Sequence, residues 1–139
     1  MKLLLDTHVF IWWRADPRRL DRKVERAISQ SRMVYVSAAS AWEAVIKVQL
    51  GKLKFPGSFG AAVVDSEFTR LDITFEHAEA VRDLPHHHGD PFDRLLVAQA
   101  MVEGLTVVSA DRQLEPYRIP VVWADGRTFS GNLNRTMSP

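Results

Sequence analysis

The 139 residues, 46% hydrophobic and 25% charged, suit one globular domain with a real core and exclude a disordered chain. There is no cysteine, which excludes a disulfide framework and a thiolate metal site. The net charge of +1 hides a cluster, Arg14, Arg18, Arg19, Arg22, Lys23, Arg26 and Arg32, opposed only by Asp16, Asp21 and Glu25; it suits phosphate contact, and a solvated helix face equally.

Leu3 to Leu5 predicts a short buried strand, and the apolar run continues through Thr7 to Trp13 as a helix. Asp6 and His8 interrupt that run before it could act as a signal sequence. No stretch approaches the roughly 18 apolar residues of a membrane span, so a soluble cytoplasmic protein is expected. Asp16-Pro17 predicts a helix start, with Leu20, Val24, Ala27 and Ile28 on one face. Met33 to Val36 reads as a strand and Ser37 to Leu50 as a helix closed by Gly51. Ser58 to Phe68 reads as a short helix, Leu71 to Ile73 as a strand, and Thr74 as the cap of a helix to Leu84. After a loop at His86-His87-His88-Gly89, Asp90-Pro91 opens an apolar helix closed by Gly104. Thr106 to Ser109 and Val121 to Trp123 read as the last strands, and residues 125–139 as a polar C-terminal tail.

Short apolar strands alternating with helices predict a parallel sheet covered on both faces. Sites in such sheets form beyond the carboxyl ends of the strands. Asp6 and Asp111 fall there, and Glu43 and Asp93 lie near the starts of two apolar helices expected at the same rim. Each acid also has a structural reading. Asp6 reads as an N-cap, Asp111 as a turn residue, and Asp90 as the cap of its helix. Glu43 completes a capping-box pattern with Ser40 and stands one turn from Lys47. Asp93 shares a stripe with Leu96, Val97 and Ala100, which points it toward the core or a cleft. Carboxylates grouped on one rim repel by about 4 kcal/mol per close pair at an effective dielectric near 20, so a grouping calls for a cation. Oxygen donors select hard ions such as Mg²⁺ or Mn²⁺.

The stretches Leu3-Leu4-Leu5-Asp6-Thr7-His8, Ser37-Ala38-Ala39-Ser40-Ala41-Trp42-Glu43, His88-Gly89-Asp90-Pro91-Phe92-Asp93-Arg94 with the Leu95 to Ala100 run, and Val108-Ser109-Ala110-Asp111 resemble, in order and spacing, the PIN-domain family, of the VapC type found in VapBC toxin–antitoxin pairs. The resemblance reaches to about Ala124. It implies an α/β fold, a three-layer α/β/α sandwich around a parallel sheet of four to five strands, as a single nuclease domain over residues 1–124. It implies an endoribonuclease that uses one or two Mg²⁺ or Mn²⁺ ions, with Asp6, Glu43, Asp93 and Asp111 as its catalytic and metal-binding acids. Asp6 and Asp93 are the first choices as direct ligands. Thr7 and Ser109 match small hydroxyl positions that support water or a carboxylate.

Arg94, Arg112 and His88 are candidate contacts to RNA, with surface ion pairs the other reading of the two arginines. Three adjacent histidines cannot all face one ion, which argues against a transition-metal site at His86 to His88. Trp12, Trp13 and Trp42 are assigned to the core by default, and an exposed part of Trp12-Trp13 would serve a partner surface. The resemblance implies a homodimer, a VapB-type antitoxin partner, and operator DNA reached only through that antitoxin. A PIN nuclease of housekeeping RNA processing is the competing reading. A non-enzymatic α/β module fits less well, since the acid pair of a receiver domain and the second acid of an Asp-x-Asp phosphatase are absent; His8 stands at the latter position.

Overall fold

The computed structural model describes residues 1–86 and 89–127. Leu3, Leu4 and Leu5 are all fully buried, which requires a strand covered on both faces. They form β1 (Lys2–Leu5), the centre of a five-stranded sheet with β2 (Met33–Ser37), β3 (Thr69–Leu71), β4 (Thr106–Ser109) and β5 (Val121–Trp123). The order is β3-β2-β1-β4-β5, and every neighbouring pair is parallel. The helices are α1 (Thr7–Ala15), α2 (Arg22–Gln30), α3 (Ala38–Gln49), α4 (Phe59–Asp65), α5 (Phe75–Ala80) and α6 (Pro91–Glu103).

The period of two along each strand divides the core. Leu3, Leu5, Val34, Val36 and Val108 face Val9, Phe10, Val24, Ile28 and Val63 on one side of the sheet. Leu4, Val107, Val121 and Trp123 face Leu96, Val97 and Ala100 of α6 on the other. The fold is therefore the three-layer α/β/α arrangement. Each such large apolar side chain contributes about 1.5–3 kcal/mol by leaving water.

Several element boundaries differ from the sequence expectation. Asp16-Pro17 starts only a 3₁₀ turn, Pro17–Arg19. Leu20 then takes an extended conformation, and Asp21 caps α2 by accepting from the Lys23 N–H at 2.8 Å. That turn lets Val24 and Ile28 reach the core. The fourth helix stops at Asp65, because the next turn ends at Glu67 with φ of 64°. The third strand accordingly begins at Thr69 and pairs Leu71 with Ser37, two residues earlier than expected. Thr74 caps α5 as expected, but in a capping box closed by the buried His77, whose Nδ1 accepts from the Thr74 N–H at 3.0 Å. The Nε2 proton then points to Glu103 of α6, 2.7 Å away. A 3₁₀ segment, Arg112–Tyr117, follows β4 where no element was predicted.

The start of the polar tail is tied to the domain. Asp125 accepts from the Arg127 N–H at 2.9 Å, and Gly126, at φ of 80°, lies so close to Asp21 that a Cβ would stand 2.5 Å from its carboxylate carbon. Tail residues 128–139 lie outside the described residues.

Candidate active site

The connections leaving β1 and β4 run to opposite sides of the sheet, the first to β2 and the second to β5. Between two such strands the sheet opens a crevice at its carboxyl edge. Asp6 directly follows β1, and Asp111 stands two residues after β4. Both lie at this switch point.

Asp6 is held from three directions. Its N–H donates to the Val108 carbonyl at 3.0 Å. Oδ1 accepts from the Val9 N–H at 2.8 Å, so the residue is the N-cap of α1. Oδ2 accepts from the Ser109 hydroxyl at 2.6 Å. The same Ser109 oxygen accepts from the Asp111 N–H at 3.0 Å. One buried hydroxyl thus couples the two strand ends. Asp111 in turn caps the 3₁₀ segment, accepting from the Gln113 N–H at 2.9 Å.

Glu43 is buried and does not close a capping box with Ser40. The strand β2 runs to Ser37, whose hydroxyl caps α3 by accepting from the Ala39 N–H at 3.0 Å. With the helix starting earlier than that pattern requires, Glu43 lies in its second turn and reaches across to α1. Its Oε1 accepts from the Thr7 hydroxyl at 2.6 Å, and its Oε2 from Lys47 Nζ at 2.9 Å. Ser40 is left buried, its hydroxyl without a partner among the described residues.

Asp90 is the cap of α6, accepting from the N–H groups of Phe92 at 2.8 Å and Asp93 at 3.4 Å. The capping role is therefore filled, and Asp93 sits half-buried in the first turn. The Phe92 and Trp42 rings meet in a T-shaped contact with centroids 5.3 Å apart. This contact sets the start of α6 beside α3, at the residues adjoining Asp93 and Glu43. Trp42 is 61% exposed rather than in the core. Trp12 and Trp13 are half-buried, Trp13 against Phe68.

Burial pushes the Asp6 carboxyl above the usual carboxylate range. Its bonds from Ser109 and Val9 and the nearby His8 oppose the rise, and the charge of Glu43 adds to it. The sequence reading assigned His8 no such influence; its place two residues after a strand-end acid, on the first turn of a helix, was the available signal.

The donors gathered here are all oxygens, and the Asp6 carboxyl is driven up by burial, with the charge of Glu43 adding to the rise. Both features suit a hard divalent cation. Glu43 is near enough to Asp6 for its charge to be felt there, Asp111 is joined to Asp6 through Ser109, and Asp93 lies in the first turn of α6. Among the described residues, no group of three His, Asp or Glu side chains is disposed to hold one ion.

Of the candidate RNA contacts, Arg94 is corrected. It is buried, with its guanidinium donating to the carbonyls of Pro85 at 2.8 Å and Val81 at 3.2 Å and to the Tyr117 hydroxyl at 3.2 Å. Its helical position, one residue past Asp93, turns it under the segment from Val81 to Pro85, where the main chain occupies its donors. Arg112 is exposed but engaged, paired with Glu115 at 3.1 Å and Asp125 at 3.4 Å and lying 4.2 Å over the Trp123 ring. His88 lies outside the described residues.

The PIN domain family matches residues 3–119. Ribonuclease VapC22 of Mycobacterium tuberculosis is 32% identical over 127 residues, spanning 87% of this chain and 98% of that protein. The fold is also that of VapBC2 from Rickettsia felis bound to a promoter DNA fragment, with a TM-score of 0.69 at 13% identity over 90% of this chain and 100% of that one. DNA-bound VapBC from Salmonella typhimurium superposes with a TM-score of 0.64 at 20% identity, over 88% of this chain and 98% of that one. With the family matched over residues 3–119 and a ribonuclease relative matched over nearly its full length, the chain belongs to the PIN-domain family and is of the VapC type.

Proposed function

We propose that this protein is a Mg²⁺- or Mn²⁺-dependent endoribonuclease, the toxin of a type II toxin–antitoxin pair acting in the cytoplasm on tRNA or rRNA. The observation that carries the reading is the buried acidic pairing of Asp6 and Glu43 at the sheet switch point, each held in place by a hydroxyl, Ser109 for one and Thr7 for the other. A bound ion would activate water for attack on the phosphodiester and stabilise charge on the phosphate and the leaving oxygen. Asp6, Asp93, Glu43 and Asp111 are the residues proposed to hold one or two such ions. Ser109 keeps the Asp6 carboxylate oriented. Thr7 fixes Glu43 with one oxygen engaged, and Lys47 offsets the second until a stronger cation arrives.

Ser109→Ala is expected to leave the fold intact while weakening Mn²⁺ binding about 10- to 100-fold, the usual cost of losing a group that orients a ligand. Titration calorimetry checks this; unchanged affinity would remove Ser109 from the site.

A VapB-type antitoxin and a second copy of the chain are the proposed protein partners, with operator DNA reached through the antitoxin. Trp42, Val45, Val48 and Leu50 leave an exposed apolar stripe along α3, which supports a protein contact. Among the described residues no helix is long and apolar enough to cross a membrane. The test is induced expression without the antitoxin. Wild type is expected to arrest growth and Asp93→Asn to be harmless. A harmless wild type would favour housekeeping RNA processing instead.

A further inference from the structure

We propose that His8, Trp12 and Arg19 form a stacking platform that holds an unpaired base of the RNA at the side of the acidic cleft. The proposal rests on the ribonuclease reading above and adds a subsite for the substrate, built from three side chains outside the acidic cleft.

The three side chains make a row leading away from the site. His8 is exposed and only two residues from Asp6, in the first turn of α1. Trp12 follows one helical turn later, half-buried, its ring centroid 6.2 Å from that of His8 and tilted by 47°. Tilted rather than stacked, the two rings do not spend their faces on each other. The exposed Arg19 places its guanidinium carbon 4.7 Å over the Trp12 ring. Aromatic rings and a planar guanidinium in series are the groups on which unpaired bases stack, and the charge serves the adjoining phosphate.

Arg19 is also pre-positioned. Pro17 opens the 3₁₀ turn that carries it, the Arg19 N–H donates to the Asp16 carbonyl at 3.1 Å, and the next residue, Leu20, is anchored in the core. Its neighbours are neutralised, Arg14 by Asp65 at 2.9 Å and Arg18 by Asp16 at 3.5 Å. Arg19 has no ion-pair partner among the described residues. An acidic peptide would use this charge, but it has no use for the exposed His8 ring or for a guanidinium already laid flat on the Trp12 ring beside it. A duplex would present phosphates and hide its bases.

The test measures binding of fluorescein-labelled oligoadenylate to the full chain carrying Asp93→Asn, so that RNA is not consumed. His8→Ala and Arg19→Lys, each added to that background, are expected to weaken binding about 5- to 30-fold, the range for loss of a base-stacking contact. Arg19→Lys keeps the charge, so its effect reports the planar group. Binding of a blunt RNA duplex should change little in His8→Ala. Superimposable melting curves show that neither change acts through the fold. Unaltered affinity for oligoadenylate in both variants would overturn the platform, as would loss of oligoglutamate binding with RNA binding retained, which assigns the surface to an acidic peptide. Cleavage by the wild-type chain is assayed alongside. If it cuts RNA while the variants bind normally, the platform alone falls; if it neither cuts nor binds RNA, the ribonuclease reading falls and takes the platform with it.

Discussion

Asp6→Asn is expected to abolish RNA cleavage and, in the same protein, to raise the melting temperature measured in EDTA. The two effects have one cause. Folding buries this carboxyl and sets Glu43 near it, which together lift it above the usual carboxylate range despite the bonds from Ser109 and Val9. A carboxyl whose folded value exceeds its unfolded value binds protons more tightly in the native state. Stability then falls as pH rises from the ordinary carboxylate range through the raised value of Asp6, and above that window the cost is present in full. Asparagine keeps an acceptor for the Val9 N–H and carries no charge to desolvate, so the variant should lack this loss over that window. Metal should reverse the order. At a concentration about 100-fold above its dissociation constant, a ligand specific to the native state stabilises by about 2.7 kcal/mol, and only the wild type should gain this from Mn²⁺. Activity should drop on the order of 10³-fold, as when a principal electrostatic stabiliser is removed. Thermal melts across pH, with and without Mn²⁺, check the stability half. A variant less stable than wild type in EDTA would show that the Asp6 charge is not a burden on the fold.

The second large effect is expected at Arg94, where the fold and the site meet. Arg94→Ala should destabilise the protein by about 2–4 kcal/mol, the scale for leaving several buried acceptors without their donor. The carbonyls of Pro85 and Val81 and the Tyr117 hydroxyl lose their shared donor inside the protein. The segment that carries Val81 and Pro85 leads into Asp90 and the first turn of α6, so Asp93 should lose its setting as well. Arg94→Lys should recover only part of the loss, because an ammonium cannot span acceptors spread around a planar fork. Urea denaturation measures this directly. A shift of the midpoint no larger than that of a surface substitution would refute the structural role.

What the sequence disclosed, and what it hid, follows from range. The strand Leu3-Leu4-Leu5 was legible because nothing but a covered strand buries three consecutive leucines. The caps at Thr74 and Asp90 were legible because they act within one turn. The capping box at Ser40 was misplaced by the same local logic. It matched a pattern over four residues, but Ser37, held at the end of β2 by its pairing with Leu71, already caps the helix, which leaves Ser40 inside the first turn. The third strand shifted for a related reason, since the left-handed Glu67 sets where the chain turns back and no local signal marks it. Arg94 read as a surface charge because its acceptors lie in a loop and on a residue 23 positions away. The acids themselves were nameable from their strand-end and helix-start positions. Their coupling was not, because Ser109 and Asp6 are 103 residues apart and Thr7 and Glu43 are 36 apart.

The account is tested most directly by incubating the purified full-length chain with an end-labelled tRNA, in Mn²⁺ or in EDTA, beside the Asp6→Asn and Asp93→Asn variants. Discrete cleavage by the wild type in Mn²⁺, leaving a 5′-phosphate on the downstream fragment, and none in EDTA or with either variant, is the predicted result. Cleavage that persists in EDTA, or that either variant carries out at the wild-type rate, would contradict it.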